Sequence, residues 1–307
     1  MSAGAPITLR PMNTGELLDR TITLYRRHFV LFVGIMALPN VFLLGIGTAG
    51  ALAVFGAQKM EGVAAAGFGL MLFGVVAVGF LAYWLAYVLS LGATTYALSE
   101  IYLGRQAGIL QSYGVVKSKL LRLVGMTLLL WMALIAGFIL CVVPCIWVLL
   151  RTAIAIPAAV IEDRPIIDAI ERSIALTKGS WVRVLLVYLL AVALNWAAIA
   201  MLQYPFEIAA VFAGAEGGAA LLLQLFSLAG QVLAGTLTGP ILAIALALIY
   251  YDERVRKEGF DLQYMMAALD TGAAPAPGAA PGTPPAPPTP PTPPLPPQAP
   301  PPPAPIG

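Results

Sequence analysis

The chain has 307 residues, of which 60% are hydrophobic and 10% charged, with a mean hydropathy of +0.87. Soluble globular proteins carry about 25% charged residues, so this composition excludes a soluble fold and makes the bilayer the solvent. The formal net charge of +2 is not gathered into a basic face, which excludes nucleic acid as a partner. In such a chain the placement of Lys and Arg informs more than their sum.

Residues 1 to 12 are expected to be loose. Asn13 with Glu16 three residues on is an N-cap with a capping-box partner. Leu18, Ile22, Tyr25 and Phe29 follow on one helical face, with Asp19, Arg20, Thr23, Arg26 and Arg27 on the rest. This pattern predicts an amphipathic helix lying in the membrane interface. The segment is too charged, and the apolar run after it too long, for a cleavable signal. Six spans are predicted, at about 29–57, 66–98, 121–141, 144–161, 183–204 and 219–250, since about 20 apolar residues cross the hydrocarbon core. Pro39-Asn40 and Gly239-Pro240 should kink the first and sixth. A turn near Cys141 to Pro144 divides a run that, as one helix, would be close to twice the membrane thickness at ~1.5 Å per residue. With six spans, fifteen of the seventeen Lys and Arg fall on the N-terminal side, Lys59 falls opposite and Arg151 lies in the membrane. The positive-inside rule then places both termini in the cytoplasm. The loop around Glu207 to Glu216 lies outside.

The fold class is therefore all-α integral membrane, with a six-span domain over residues 1–270. Residues 271–307 hold eighteen of the twenty-six prolines and no charge. That composition predicts a disordered polyproline II tail, serving as a spacer or as a ligand for a proline-recognising protein partner.

Asp19-Arg20-Thr21-Ile22-Thr23-Leu24 is echoed by Glu171-Arg172-Ser173-Ile174-Ala175-Leu176. In each copy a basic residue (Arg26, Lys178), an aromatic (Phe29, Trp181) and an apolar run follow. These stretches read as elbow helices feeding a span, and in the second Ile166, Ile167, Ile170 and Ile174 line one face while Asp168, Glu171 and Arg172 lie off it. Gly104 to Arg122, with Arg105, Lys117 and Lys119, is a weaker third copy. An elbow, a span out and a span back then occur three times, starting near residues 14, 108 and 165, as a parallel repeat. Chance similarity between two amphipathic stretches is the alternative.

Motifs for chemistry are few. Gly45-Ile46-Gly47-Thr48-Ala49-Gly50 matches G-x-G-x-x-G but lies inside a span, where small residues serve helix approach. Gly235 and Gly239 form a G-x-x-x-G with the same meaning. Cys141 and Cys145 read as small hydrophobes. His28, the only histidine, reads as an interface anchor. No metal, cofactor or catalytic residue set is expected. Arg151 is the one charge deep in a span, and such a residue is paired, lines a wet cavity or snorkels to water. Asn195, Gln224, Gln231 and Glu100 are the partners available, so Arg151, Asn195 and Gln231 define a candidate intramembrane polar pocket. Asp19, Arg20, Arg26, Arg27, Glu171, Arg172 and Lys178 define candidate elbow and interface contacts.

Three stretches, LRPMNTGELLDRTITLYRRHF, Glu162 with AIERSIALTKGSW, and YYDERVRKEGFDLQ, resemble an uncharacterised bacterial multi-pass family. That family is labelled the glycerophosphoryl diester phosphodiesterase membrane domain. The resemblance covers roughly residues 8 to 265. It departs at Pro144-Cys145-Ile146, where the family shows Pro-Gly-Ile. It implies a membrane module without enzymatic activity, because one histidine cannot supply a phosphodiesterase metal site and there is no room for the soluble domain. The expectation is a non-enzymatic scaffold or accessory module of the inner membrane, contacting anionic lipid headgroups and envelope or lipid-related partners. The alternative is a transporter or channel for a small or lipid-like solute, with a polar pocket near Arg151.

Overall fold

The computed structural model describes residues 12–57, 61–214 and 216–259. The expected loose N-terminal residues before Met12, the turn at Lys59 and the proline-rich tail lie outside them. Among the described residues every regular element is a helix: α1 Thr14–Arg27, α2 Phe29–Ala57, α3 Gly62–Tyr102, α4 Ile109–Lys117, α5 Leu120–Leu140, α6 Val142–Arg151, α7 Ala155–Ile161, α8 Ile166–Thr177, α9 Trp181–Leu202, α10 Tyr204–Phe212 and α11 Gly217–Glu258. Six stretches are long and apolar enough to cross a membrane, one of them α6 and α7 taken together. The all-α, six-span expectation holds.

α3 and α11 set the frame. At ~1.5 Å per residue they run about 60 Å, twice the hydrocarbon thickness, so one end of each stands clear of the apolar slab. That end carries Glu100 on α3 and Asp252 to Glu258 on α11. The two stack there through Tyr102 and Tyr251, ring centroids 4.8 Å apart. α2 runs antiparallel to α11, with Met36 against Gly239, Asn40 against Gly235 and Leu228 against Gly47. α9 follows α11 on another side, where Thr238 donates to Asn195 Oδ1 at 2.8 Å. Backbones come closest at Gly230, where a Cβ would sit 2.0 Å from the Leu202 carbonyl oxygen. A Cβ at Gly45 or Gly50 would meet nothing within 4 Å, whereas one at Gly47 would run into Leu228 of α11.

The elbows exist at all three expected places, as α1, α4 and α8, and their register is common. Thr21, Ser112 and Ser173 are fully buried hydroxyls, and each lies eight residues before the first residue of an outgoing span, Phe29, Leu120 or Trp181. The buried faces of the first and third elbows coincide position by position: Leu17, Thr21, Leu24 and Tyr25 on α1, Ala169, Ser173, Leu176 and Thr177 on α8. One expectation is corrected here. The faces predicted from apolar spacing coincide only in part with the buried ones: Tyr25 is buried, Leu18, Ile166, Ile170 and Ile174 are half-buried, and Ile22 and Ile167 are exposed, while Leu17, Leu24 and Leu176 lie inward beside the hydroxyls. α1 is, moreover, docked on α11 along its length. Met12 meets Asp252, Leu18, Thr21 and Ile22 border Ile241 and Ala245, and the Tyr25 hydroxyl donates to the Leu237 carbonyl at 2.8 Å. The helix therefore runs down the side of α11.

Each elbow packs on the returning helix of another repeat: α4 on α3, α8 on α7, and α1 on α11. The first two pairs are neighbours in sequence, but the third joins the two ends of the chain and closes the repeats into a ring. Elbow tyrosines also serve the proline-containing spans. Pro39 has no N–H for the Ile35 carbonyl, and that oxygen accepts from the Tyr113 hydroxyl of α4 at 2.5 Å and from Ser90 Oγ at 3.3 Å. Tyr25 acts similarly beside Pro240, on the carbonyl next to the one that proline leaves free.

Two spans differ in detail from expectation. The fourth is broken at 152–154 into α6 and α7, and α7 is almost wholly buried beneath α3 and α8. The fifth does not end in a loop at Glu207. A break at Gln203, with Pro205 in the next first turn where its missing N–H costs nothing, starts α10. There Glu207 accepts from Gln203 Nε2 at 2.6 Å and from Ser227 Oγ of α11 at 2.9 Å.

Tyr113→Phe should lower stability by about 1–3 kcal/mol, the cost of leaving a buried carbonyl short of a partner, as read by thermal unfolding in detergent. In the same assay Gly230→Ala should lower the melting temperature and Gly45→Ala should not.

Candidate functional site

At the charged end, α7, α8, α9, α11 and the residues before α1 bring their polar side chains together in two adjoining clusters. The first centres on Glu162, which follows α7 and whose side chain is 4% exposed. Arg172 of α8 donates to its Oε1 from Nη2 at 3.0 Å and from Nε at 3.1 Å. The Tyr250 hydroxyl donates to the same oxygen, Arg164 donates to the other, and Arg254 Nε lies 3.5 Å away. Arg172 also pairs with Glu258, which Arg254 approaches to 3.2 Å. Burial opposes ionisation of Glu162, but the hydrogen bonds from Tyr250, Arg172 and Arg164 and the charge of Arg172 outweigh it, holding the carboxyl below its ordinary range. For Arg172 burial is likewise opposed by Glu258 and Glu162, and the guanidinium is held more firmly charged than usual.

The second cluster centres on Asp252, whose side chain has no exposure. It accepts from the Met12 N–H at 2.6 Å, from Arg183 of α9, and from Arg256 Nε at 2.6 Å. Arg183 and Arg256 also donate to the Met12 carbonyl, so the chain before α1 is clamped between α9 and α11. Glu253 lies 3.7 Å from Arg183 and 3.4 Å from Lys257. Lys257 in turn donates to the carbonyls of Ala175, Leu176 and Lys178. It caps the C-terminal end of α8, where a cation suits the helix dipole.

A third, more open group lies at the start of α5. Asp163, the one described non-glycine residue with positive φ, at 53°, accepts from Arg122 at 2.7 Å and lies 3.0 Å from Lys119. The hydrogen bond from Lys119 is the largest cause holding its carboxyl below the ordinary value, with Arg122 adding to it against partial burial. A depression of about 720 Å³ beside it is lined by Lys119, Arg122 and Pro165 to Asp168.

Of the residues singled out from sequence, Arg172 stands at the centre of the first cluster. Asp19, Arg26, Arg27, Glu171 and Lys178 are exposed, and Arg20 is half-buried near Tyr102. Burial and the neighbouring Arg27 push His28 below its usual pKa. Arg151, Asn195 and Gln231 show different surroundings. Arg151 ends α6 with its guanidinium 5.6 Å from the Trp147 ring centroid, and its carbonyl accepts from Ser173 and Thr177. Asn195 is taken by Thr238, and Gln231 is exposed. Glu162, Tyr250, Asp252, Arg183, Arg254 and Met12 were missed as site residues. The pairs Arg254–Glu258, Asp252–Arg256 and Glu253–Lys257 were legible as i,i+4 neighbours; the long-range partners had no signal in the sequence. Among the described residues no three His, Cys, Asp or Glu gather as a metal set, and both cysteines are free.

This arrangement defines a multi-pass helical membrane protein of three parallel elbow-and-hairpin repeats, joined at one end by buried ion pairs. No family model, curated protein or solved structure matches the chain.

Removing the Glu162 charge leaves Arg172 and Arg254 under-compensated, so Glu162→Gln should cost about 3–5 kcal/mol. Because the folded state holds the Glu162 and Asp163 carboxyls below their ordinary values of 4.5 and 3.8, their contribution is complete above those values. It is lost as pH falls through the lower folded-state ones. Thermal melting of the wild type should thus vary little with pH near neutrality through these two groups and weaken in acid, with a shallower acid dependence in Glu162→Gln.

Proposed function

We propose that this protein is a non-enzymatic scaffold or accessory module of a bacterial inner membrane, with both termini cytoplasmic. Its elbow helices contact anionic lipid headgroups and its charged end receives envelope or lipid-related protein partners. The observation that carries this reading is how charge is used. Glu162, Asp163, Asp252, Glu253 and Glu258 are spent on internal pairs, while on the elbows Arg26, Lys117 and Lys178 remain exposed just before the spans, with the exposed acids Asp19, Asp168 and Glu171 further back along the helices. Each Lys or Arg near an anionic surface contributes about 1 kcal/mol, so outward cations around a rigid internal clasp suit a lipid-bound platform. The resemblance to the phosphodiesterase-associated membrane domain points the same way and adds no catalytic residue. A transporter is favoured less, because Arg151 lies against Trp147, Asn195 is taken by Thr238 and Gln231 is exposed.

Two measurements test this. In a background with Cys141 and Cys145 replaced by serine, a cysteine in place of Glu216 should react with an impermeant reagent on intact cells, and one in place of Asp168 only after permeabilisation; the reverse pattern would overturn the orientation. In proteoliposomes, solute flux that disappears with Arg151→Leu would overturn the scaffold in favour of the transporter.

A further inference from the structure

The common register of the elbows places one more residue type in all three repeats. Five residues after each buried hydroxyl, and three before each outgoing span, stands a cation: Arg26 after Thr21, Lys117 after Ser112, Lys178 after Ser173. All three side chains are exposed, and none forms an ion pair among the described residues. The contrast is with Arg105, Lys119, Arg122, Arg164, Arg172, Arg183, Arg254, Arg256 and Lys257 at the same end, each held by an acid. Four residues past each cation comes an exposed apolar side chain in the first turn of the span: Val30 at 78%, Leu121 at 86% and Val182 at 49% exposure. Each repeat therefore repeats one amphipathic unit. An unpaired cation stands just before the membrane entry, with an acyl-facing side chain one turn further in.

We propose that Arg26, Lys117 and Lys178 are three equivalent docking points, one per repeat, each holding the phosphate of an anionic phospholipid whose chains lie along the outgoing span. The proposal rests on the lipid-contacting reading above and makes it specific in number and position. A lipid is the occupant the chemistry selects. The cation supplies the charge complement to a phosphate, and the adjoining residue offers apolar contact that a free phosphate could not use. The second repeat matters most here, because α4 is short and its sequence only weakly resembles the other elbows, yet it keeps the hydroxyl, the cation and the apolar residue at the same spacing.

The test uses the full chain, delipidated in detergent and then exposed to mixed micelles of phosphatidylglycerol and phosphatidylcholine, with bound lipids counted by native mass spectrometry. The wild type should retain up to three phosphatidylglycerol molecules. Arg26→Gln, Lys117→Gln and Lys178→Gln should each remove one and weaken anionic binding by about fivefold at that site. The triple variant should retain none, with unchanged melting in lipid-free detergent. Arg27→Gln removes an exposed charge that has no counterpart in the other repeats, since Ser118 and Gly179 stand there, and should leave the count at three. Anionic lipid retained equally by the triple variant, or lost equally in Arg27→Gln, would overturn the three sites and leave the broader lipid reading standing. A wild type that retains no anionic lipid would overturn both.

Discussion

A carboxylate with almost no access to water stays ionised only if cations and hydrogen-bond donors replace its hydration, and Glu162 is placed where two helices and the neighbouring chain can supply them. Arg172 comes from α8, Tyr250 and Arg254 from α11, Arg164 from the chain beside it. Every one of these elements must be in register for the charge to be tolerated, so the pairing acts as a check on assembly. Asp252 imposes the same demand on α9, α11 and the chain before α1. The energetic value of such buried pairs lies less in net stability than in the cost of any arrangement that leaves one charge alone.

Those two clusters explain why the repeats close into a ring. Hydrophobic burial gives little direction to helix association in lipid, because acyl chains are as apolar as leucine. Close backbone contact at Gly230, elbow tyrosines bonded to span carbonyls at or beside those that the prolines free, and ion pairs at the charged end provide the direction instead. The interaction of α1 with α11 joins the two ends of the chain, and Met12 between Arg183, Asp252 and Arg256 secures it. The repeat containing α5, α6 and α7 departs most from the pattern. Its returning segment is divided, with α6 packed on α5 and α7 drawn into the polar end under α3 and α8, and this break places Glu162 within reach of α11.

A division of labour among the charges follows. Cations that meet acids form the internal clasp. Those that recur at the same position in each elbow have no acid to meet and face outward at the membrane entry. The recurrence would be hard to maintain as a by-product of packing, since Arg26, Lys117 and Lys178 make no ion pair inside the protein, whereas a bilayer surface presents the same chemistry to all three.

By itself the sequence determined the helical membrane class, the six apolar stretches, the three elbow positions and the pairing of Thr21 with Ser173. These follow from hydropathy, charge placement and local similarity, which are properties of short windows. It could not decide which face of an elbow turns inward, because the spacing of Leu18, Ile22, Ile166 and Ile170 marks an apolar stripe without saying whether protein or lipid receives it. Nor could it bring Glu162 to Arg254 or Met12 to Asp252, since those contacts join residues 92 and 240 positions apart. Only the tertiary structure set Arg151 against Trp147 and Asn195 against Thr238, and only it showed that the elbow at α4, faint as a sequence repeat, carries its buried hydroxyl and its exposed cation in the same register as the others. The physical reason is that pairing of buried charges and docking of helices depend on where the chain returns, which a local pattern does not encode.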